Sequence, residues 1–235
     1  MKVLSLLSKS LHVFKSHYLE LLAFAYPLVL IGSVPGLISR LNDQHLLTPP
    51  PSALGFLMSA TYWSAETFIL VGVSQVTWQS LREQSFAFEN LLLDADSIRP
   101  VALWAILLSS LFFAITIAPM AGGLCDISKC RAFPIMPLFF YMLAFVPLLI
   151  VDRRLGLLET IKETAFAARK HWFGLIMLSV TAEFIYLVIV GIYAIIPGET
   201  FVLVDYFGIS LAIAIASIIN ASMMAAAYAE LFENR

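Results

Sequence analysis

Apolar residues in this chain gather in long unbroken runs, and the polar residues fall mainly between them. A helix that crosses a membrane needs about 20 mostly apolar residues. Six runs meet or approach that length, over 21–38, 53–78, 101–121, 133–151, 173–196 and 207–229. Strands of a membrane barrel are shorter and alternate in polarity, whereas these runs are continuous and rich in Leu, Ala, Ile and Phe. The expected fold class is all-α, a polytopic membrane helix bundle of six transmembrane helices forming one integral membrane domain over 1–235.

Two further segments have the period of an amphipathic helix. In 1–20, Val3, Leu4, Leu7, Leu11, Phe14 and Tyr18 recur at spacings of three and four, while Lys2, Ser5, Lys9, His12 and Ser16 take the other side. The apolar run after Lys2 stops at Ser8, Lys9 and Ser10, too soon for the core of a cleaved signal peptide. The pattern predicts an interfacial helix, with a cytosolic extension of the first span as the alternative. In 152–172, Leu155, Leu158, Ile161, Ala165, Ala168 and Trp172 share a face, away from Glu159, Lys162, Glu163, Arg169 and Lys170. This predicts a cytoplasmic amphipathic helix entering the fifth span through an interfacial Trp.

Composition agrees with this reading. Of 235 residues, 60% are apolar and only 13% charged, about half the charge of a soluble domain. The net charge is −2 and no basic block exceeds two residues, so a nucleic-acid partner is excluded. Lys and Arg set the orientation. With the N-terminus inside, all 14 fall on inside segments except Arg40, Lys129 and Arg131. Both termini are therefore expected in the cytoplasm.

Polar residues inside spans are the candidate chemistry. Glu66 is central in the second span and Glu183 in the fifth, and no Lys, Arg or His lies in any span to pair with them. Intramembrane carboxyl groups often mark ion paths. They also serve, when protonated, as hydrogen-bond glue between helices. Gln75 and Asn220 are the candidate partners. Gly208, Ala212, Ala216 and Asn220 recur every four residues along the sixth span, a stripe that suits either packing within the chain or a homodimer seam. Cys125 and Cys130 share an outside loop and could form a disulfide in an oxidising compartment or stay free thiols. Pro27, Pro35, Pro137 and Pro147 favour kinks in the first and fourth spans.

No catalytic, cofactor or metal motif stands out. The four His residues, His12, His17, His45 and His171, lie outside the spans, which removes an intramembrane Ser–His pair and a bis-His haem site. There is no HExxH, phosphate loop or Walker lysine. No repeat is evident between the first three and last three spans, as many transporters have.

The stretch PLLIVDRRLGLLETIKETAFAARKHW, 147–172, resembles the bacterial YciC-like integral membrane family, whose domain also occurs beside some glycerophosphodiester phosphodiesterases. Asp152 stands at the acidic residue after a Pro-containing span. Glu159, Ile161 and Thr164 fall at the Glu, Leu and Ser positions of the helix that follows, and Trp172 is the aromatic. Thr160 replaces the usual Ala. LHVFKSHYLELL, and the sequence from Gln84 to Leu93, are similar to the family's first helix and its acidic-aromatic linker. The resemblance implies a multi-pass protein of the bacterial inner membrane. It carries over no catalytic residue, and the phosphodiesterase belongs to a separate soluble domain.

The function expected is a non-enzymatic scaffold or accessory factor in membrane or envelope processes. The alternative is a small proton- or cation-coupled transporter or channel using Glu66 and Glu183. The expected partners are the lipid bilayer and another membrane protein or a second copy of the chain, with no cofactor.

Overall fold

The computed structural model describes residues 2–41, 53–82, 95–112, 144–195 and 202–233. All regular structure among these residues is helical. The helices are α1 (Val3–Leu41), α2 (Ala53–Leu81), α3 (Ala95–Phe112), α4 (Phe145–Arg153), α5 (Leu157–Ile195) and α6 (Val202–Tyr228), the last extended by a π-helical turn, Ala229–Glu233. Among the described residues, three segments are long and apolar enough to cross a membrane: Val3–Val34, Leu157–Ile189 and Tyr206–Phe232.

Small side chains make α6 the axis of the bundle. Ala212, Ala214, Ala216, Ala221 and Ala225 to Ala227 are buried along it, so neighbouring backbones approach closely. α1, α2 and α5 pack around it. Within its apolar segment 72% of residues are buried, against 22% in those of α1 and α5. The outer face of α5 consequently shows large apolar side chains, among them Phe173, Val180, Phe184, Leu187 and Ile192. Such a face is stable against acyl chains and unusual against water.

Backbone polarity is contained within the helices. Along α2, the hydroxyls of Thr67, Ser74 and Thr77 donate to the carbonyls of Trp63, Leu70 and Val73, four residues back, at 2.6–2.9 Å. Each polar group thus finds its partner on its own helix and needs no water.

α1 and α6 run antiparallel. Ser10 Oγ donates to the Ile219 carbonyl at 2.7 Å, and at the far end Tyr206 Oη donates to the Leu30 carbonyl. Trp78 Nε1, at the end of α2, donates to the Ala225 carbonyl at 3.1 Å. The start of α1, the ends of α2, α4 and α6, and the start of α5 therefore share one end of the bundle.

Two helices break where the amphipathic period hands over to a span. α1 leaves helical geometry at His17 (φ −132°, ψ 27°) and α5 at His171 (φ −121°, ψ 23°). One offset carries Val3 to Leu157, His17 to His171 and Leu41 to Ile195, and both helices have 39 residues. Buried positions keep the same offset: Leu6 and Thr160, Ser10 and Thr164, Val13 and Ala167, Leu21 and Leu175. So does the sequence at the break, Lys-Ser-His-Tyr-Leu in α1 and Arg-Lys-His-Trp-Phe in α5. This likeness relates α1 to α5, so a comparison of the chain's two halves misses it.

Several expectations are corrected. Pro27 and Pro35 lie within α1 without a break, whose one non-helical residue is His17. Side-chain donors serve this region: Ser33 Oγ reaches the Val29 and Leu30 carbonyls, and Tyr206 Oη also serves Leu30. Pro147 sits in the first turn of α4, where a missing N–H costs little. Pro137 lies outside the described residues. The amphipathic segment turns Thr160, Thr164, Ala167 and Ala168 inward, with Ile161 half-buried. Leu158 and Trp172, on the apolar face with Ala168, are exposed on the surface of the bundle. The Thr160 hydroxyl is spent on the Leu157 carbonyl, which lets a polar residue occupy the inner face.

Candidate functional site

Glu66 stands on α2 where α5 and α6 converge. Ser217 Oγ of α6 donates to Glu66 Oε1 at 2.7 Å. Tyr62, one turn earlier on α2, is hydrogen-bonded to the same carboxyl group and to Tyr186 of α5. Residues four apart on a helix lie on one face, which is how Tyr62 reaches Glu66. Glu183 lies three residues before Tyr186, within electrostatic reach of its hydroxyl. Two phenols therefore link Glu66 to the helix that carries Glu183. Tyr62 has one proton to donate. When Glu66 is ionised, Tyr62 donates to it and accepts from Tyr186.

The other sequence candidates fall elsewhere. Neither Gln75 nor Asn220 is among the groups hydrogen-bonded to Glu66, and Asn220 Oδ1 is buried without a hydrogen-bond partner. Ala212 and Ala216 are buried inside the chain's own bundle, and Gly208 and Asn220 are half-buried. Cys125 and Cys130 lie outside the described residues. Among those residues, no three His, Cys, Asp or Glu side chains converge as metal ligands would. A shallow groove of about 290 Å³ between α1 and α2 is lined by Leu28, Ile31, Gly32, Thr61, Ser64 and Phe68, and neither glutamate lines it.

A second polar group closes the end of the bundle where α4 meets α5. Tyr228 Oη donates to Asp152 Oδ2 at 2.6 Å, and Arg153 Nη2 donates to the Phe232 carbonyl at 2.6 Å. Arg153 also pairs with Glu163 at 3.6 Å and lies 5.9 Å from the Phe232 ring centre. The rings continue inward. Tyr228 stacks on Phe232 at 4.9 Å and meets Trp78 at 5.1 Å, and Phe145 meets Phe232 edge-on at 5.9 Å. Arg154, with φ 51°, turns the chain from α4 towards α5. This clasp ties α2, α4, α5 and α6 together.

Sequence reasoning found both glutamates and missed the hydroxyls. Tyr62 and Tyr186 are four and three residues from a glutamate, a helical spacing that marks them. Ser217, Tyr228 and Phe232 carry no local signal, because only the packing of α6 brings them to Glu66, Asp152 and Arg153.

No family profile matches the chain, and neither a curated protein nor a solved structure matches it.

Proposed function

We propose that the chain is a six-span, non-enzymatic protein of the bacterial inner membrane with both termini in the cytoplasm, acting as a scaffold or accessory factor in envelope processes. The observation behind this reading is the clasp of Tyr228, Asp152, Arg153 and Phe232, which locks four helices at the end where the basic residues Lys2, Lys9, Arg82, Arg153 and Arg154 gather. The positive-inside rule assigns that end to the cytoplasm. The resemblance to the YciC-like family implies the same inner-membrane placement. The partner is the bilayer together with another membrane protein or a second copy of the chain.

One observation favours a second reading, ion handling: Glu66 is hydrogen-bonded through Tyr62 to Tyr186, which lies within electrostatic reach of Glu183. Complementation of a deletion strain separates the two. The scaffold reading expects Glu66→Gln and Glu183→Gln to restore envelope integrity as fully as wild type, because Gln keeps the shape of the neutral acid. The ion-handling reading expects normal membrane levels of both variants and no restoration.

A further inference from the structure

We propose that Glu66, Tyr62, Tyr186 and Glu183 form a proton relay, the intramembrane link of a path that carries protons and no larger cation. The proposal rests on the ion-handling reading and names its ion and its route.

A phenol has one donor and two acceptor lone pairs, so it can take a proton on one side while releasing one on the other. Protonated Glu66 gives its proton to the Tyr62 oxygen as Tyr62 gives its own to the Tyr186 oxygen. The Tyr186 proton passes on to the Glu183 carboxylate, three residues earlier on the same helix. Both phenols begin and end neutral. Glu66 ends ionised, held by donors from Ser217 and Tyr62, and Glu183 ends protonated. The reverse transfer uses the same atoms.

The donor set explains why the ion is a proton. A hard metal cation needs several oxygen lone pairs turned towards it. At Glu66 the Ser217 and Tyr62 hydroxyls direct protons at the carboxylate and occupy the positions such a cation would take. A proton needs only the hydrogen-bond chain.

α1 supplies an independent comparison within the same molecule. The offset that superposes the two broken helices places Val29 opposite Glu183 and Gly32 opposite Tyr186. Val29 and Gly32 are buried. A Cβ on Gly32 would stand 2.9 Å from Ala65 Cβ, so these positions seal α1 against its neighbours. At these two positions α1 packs without a charged or phenolic side chain. Glu183 and Tyr186 are substitutions that packing does not demand, and they are the two that complete the chain of hydroxyls.

The test is proton flux into proteoliposomes of the purified full chain, read by an entrapped pH dye under a potassium diffusion potential. Wild type is expected to pass protons. Glu66→Gln, Glu183→Gln, Tyr62→Phe and Tyr186→Phe should each lower the flux by about a hundredfold, the scale of a lost proton-transfer group. All should elute from size exclusion as wild type does, since Phe keeps the ring and Gln the shape. Thr181→Val, on α5 with its hydroxyl bonded to the Met177 carbonyl, should keep the flux. Loss in the glutamate variants with full flux in both Tyr→Phe variants overturns the relay and leaves the ion-handling reading standing. Wild-type flux of sodium or potassium without protons does the same. Absence of all three fluxes overturns both.

Discussion

Tyr228→Ala is expected to lower the unfolding free energy by about 3–5 kcal/mol, the usual cost of deleting a buried aromatic ring. Tyr228 is fully buried at the centre of the aromatic group, between Trp78 and Phe232. Removing it opens a cavity beside both rings and deprives Asp152 of its donor. Tyr228→Phe keeps the ring and loses only the hydrogen bond, so its cost should fall to about 1.5–3 kcal/mol, as for a hydrogen bond to a charged acceptor. Thermal unfolding in detergent, followed by tryptophan fluorescence, measures both, because Trp78 reports on this contact. Equal losses for Ala and Phe would show that ring packing contributes nothing.

The second large effect lies at the crossing of α1 and α2. Gly32 is buried there, with Thr61 Oγ1 donating to its carbonyl at 3.1 Å. An added Cβ would meet Ala65 Cβ at 2.9 Å and the Thr61 carbonyl oxygen at 3.3 Å. A Leu side chain cannot enter unless the helices part, and overpacking of this kind costs about 3 kcal/mol. Gly32→Leu should therefore lower the melting temperature and the yield of monodisperse protein. Gly191 provides the contrast, since nothing lies within 4 Å of a Cβ placed there. Gly191→Ala should be neutral or should stabilise α5 by up to about 1 kcal/mol through helix propensity. A wild-type melting temperature for Gly32→Leu would contradict the close crossing.

These two sites mark what could and could not be read from the chain. Long apolar runs and the change of period near residues 17 and 171 were visible, because helix period and hydropathy are local properties. Glu66 and Glu183 were visible because a carboxyl group in an apolar run is costly. Their partners were not, because Ser217 meets Glu66 only when α6 lies along the axis of the bundle. Gly32 resembles any other glycine until α2 is packed against it. The inward-facing residues of 157–170 were not legible, because counting apolar residues favours Leu158 over Thr160. A threonine hydroxyl bonded to its own helix is apolar enough to be buried.

Single-cysteine labelling tests the central claim, six spans with both ends of the chain on the cytoplasmic side. Lys2→Cys, Pro50→Cys and Gly156→Cys are placed singly in a chain carrying Cys125→Ser and Cys130→Ser, and intact spheroplasts are treated with a membrane-impermeant maleimide. Position 50 should label at once, and positions 2 and 156 only after the membrane is opened. Labelling of positions 2 and 156 from opposite sides, or of position 50 from the same side as both, would contradict the account.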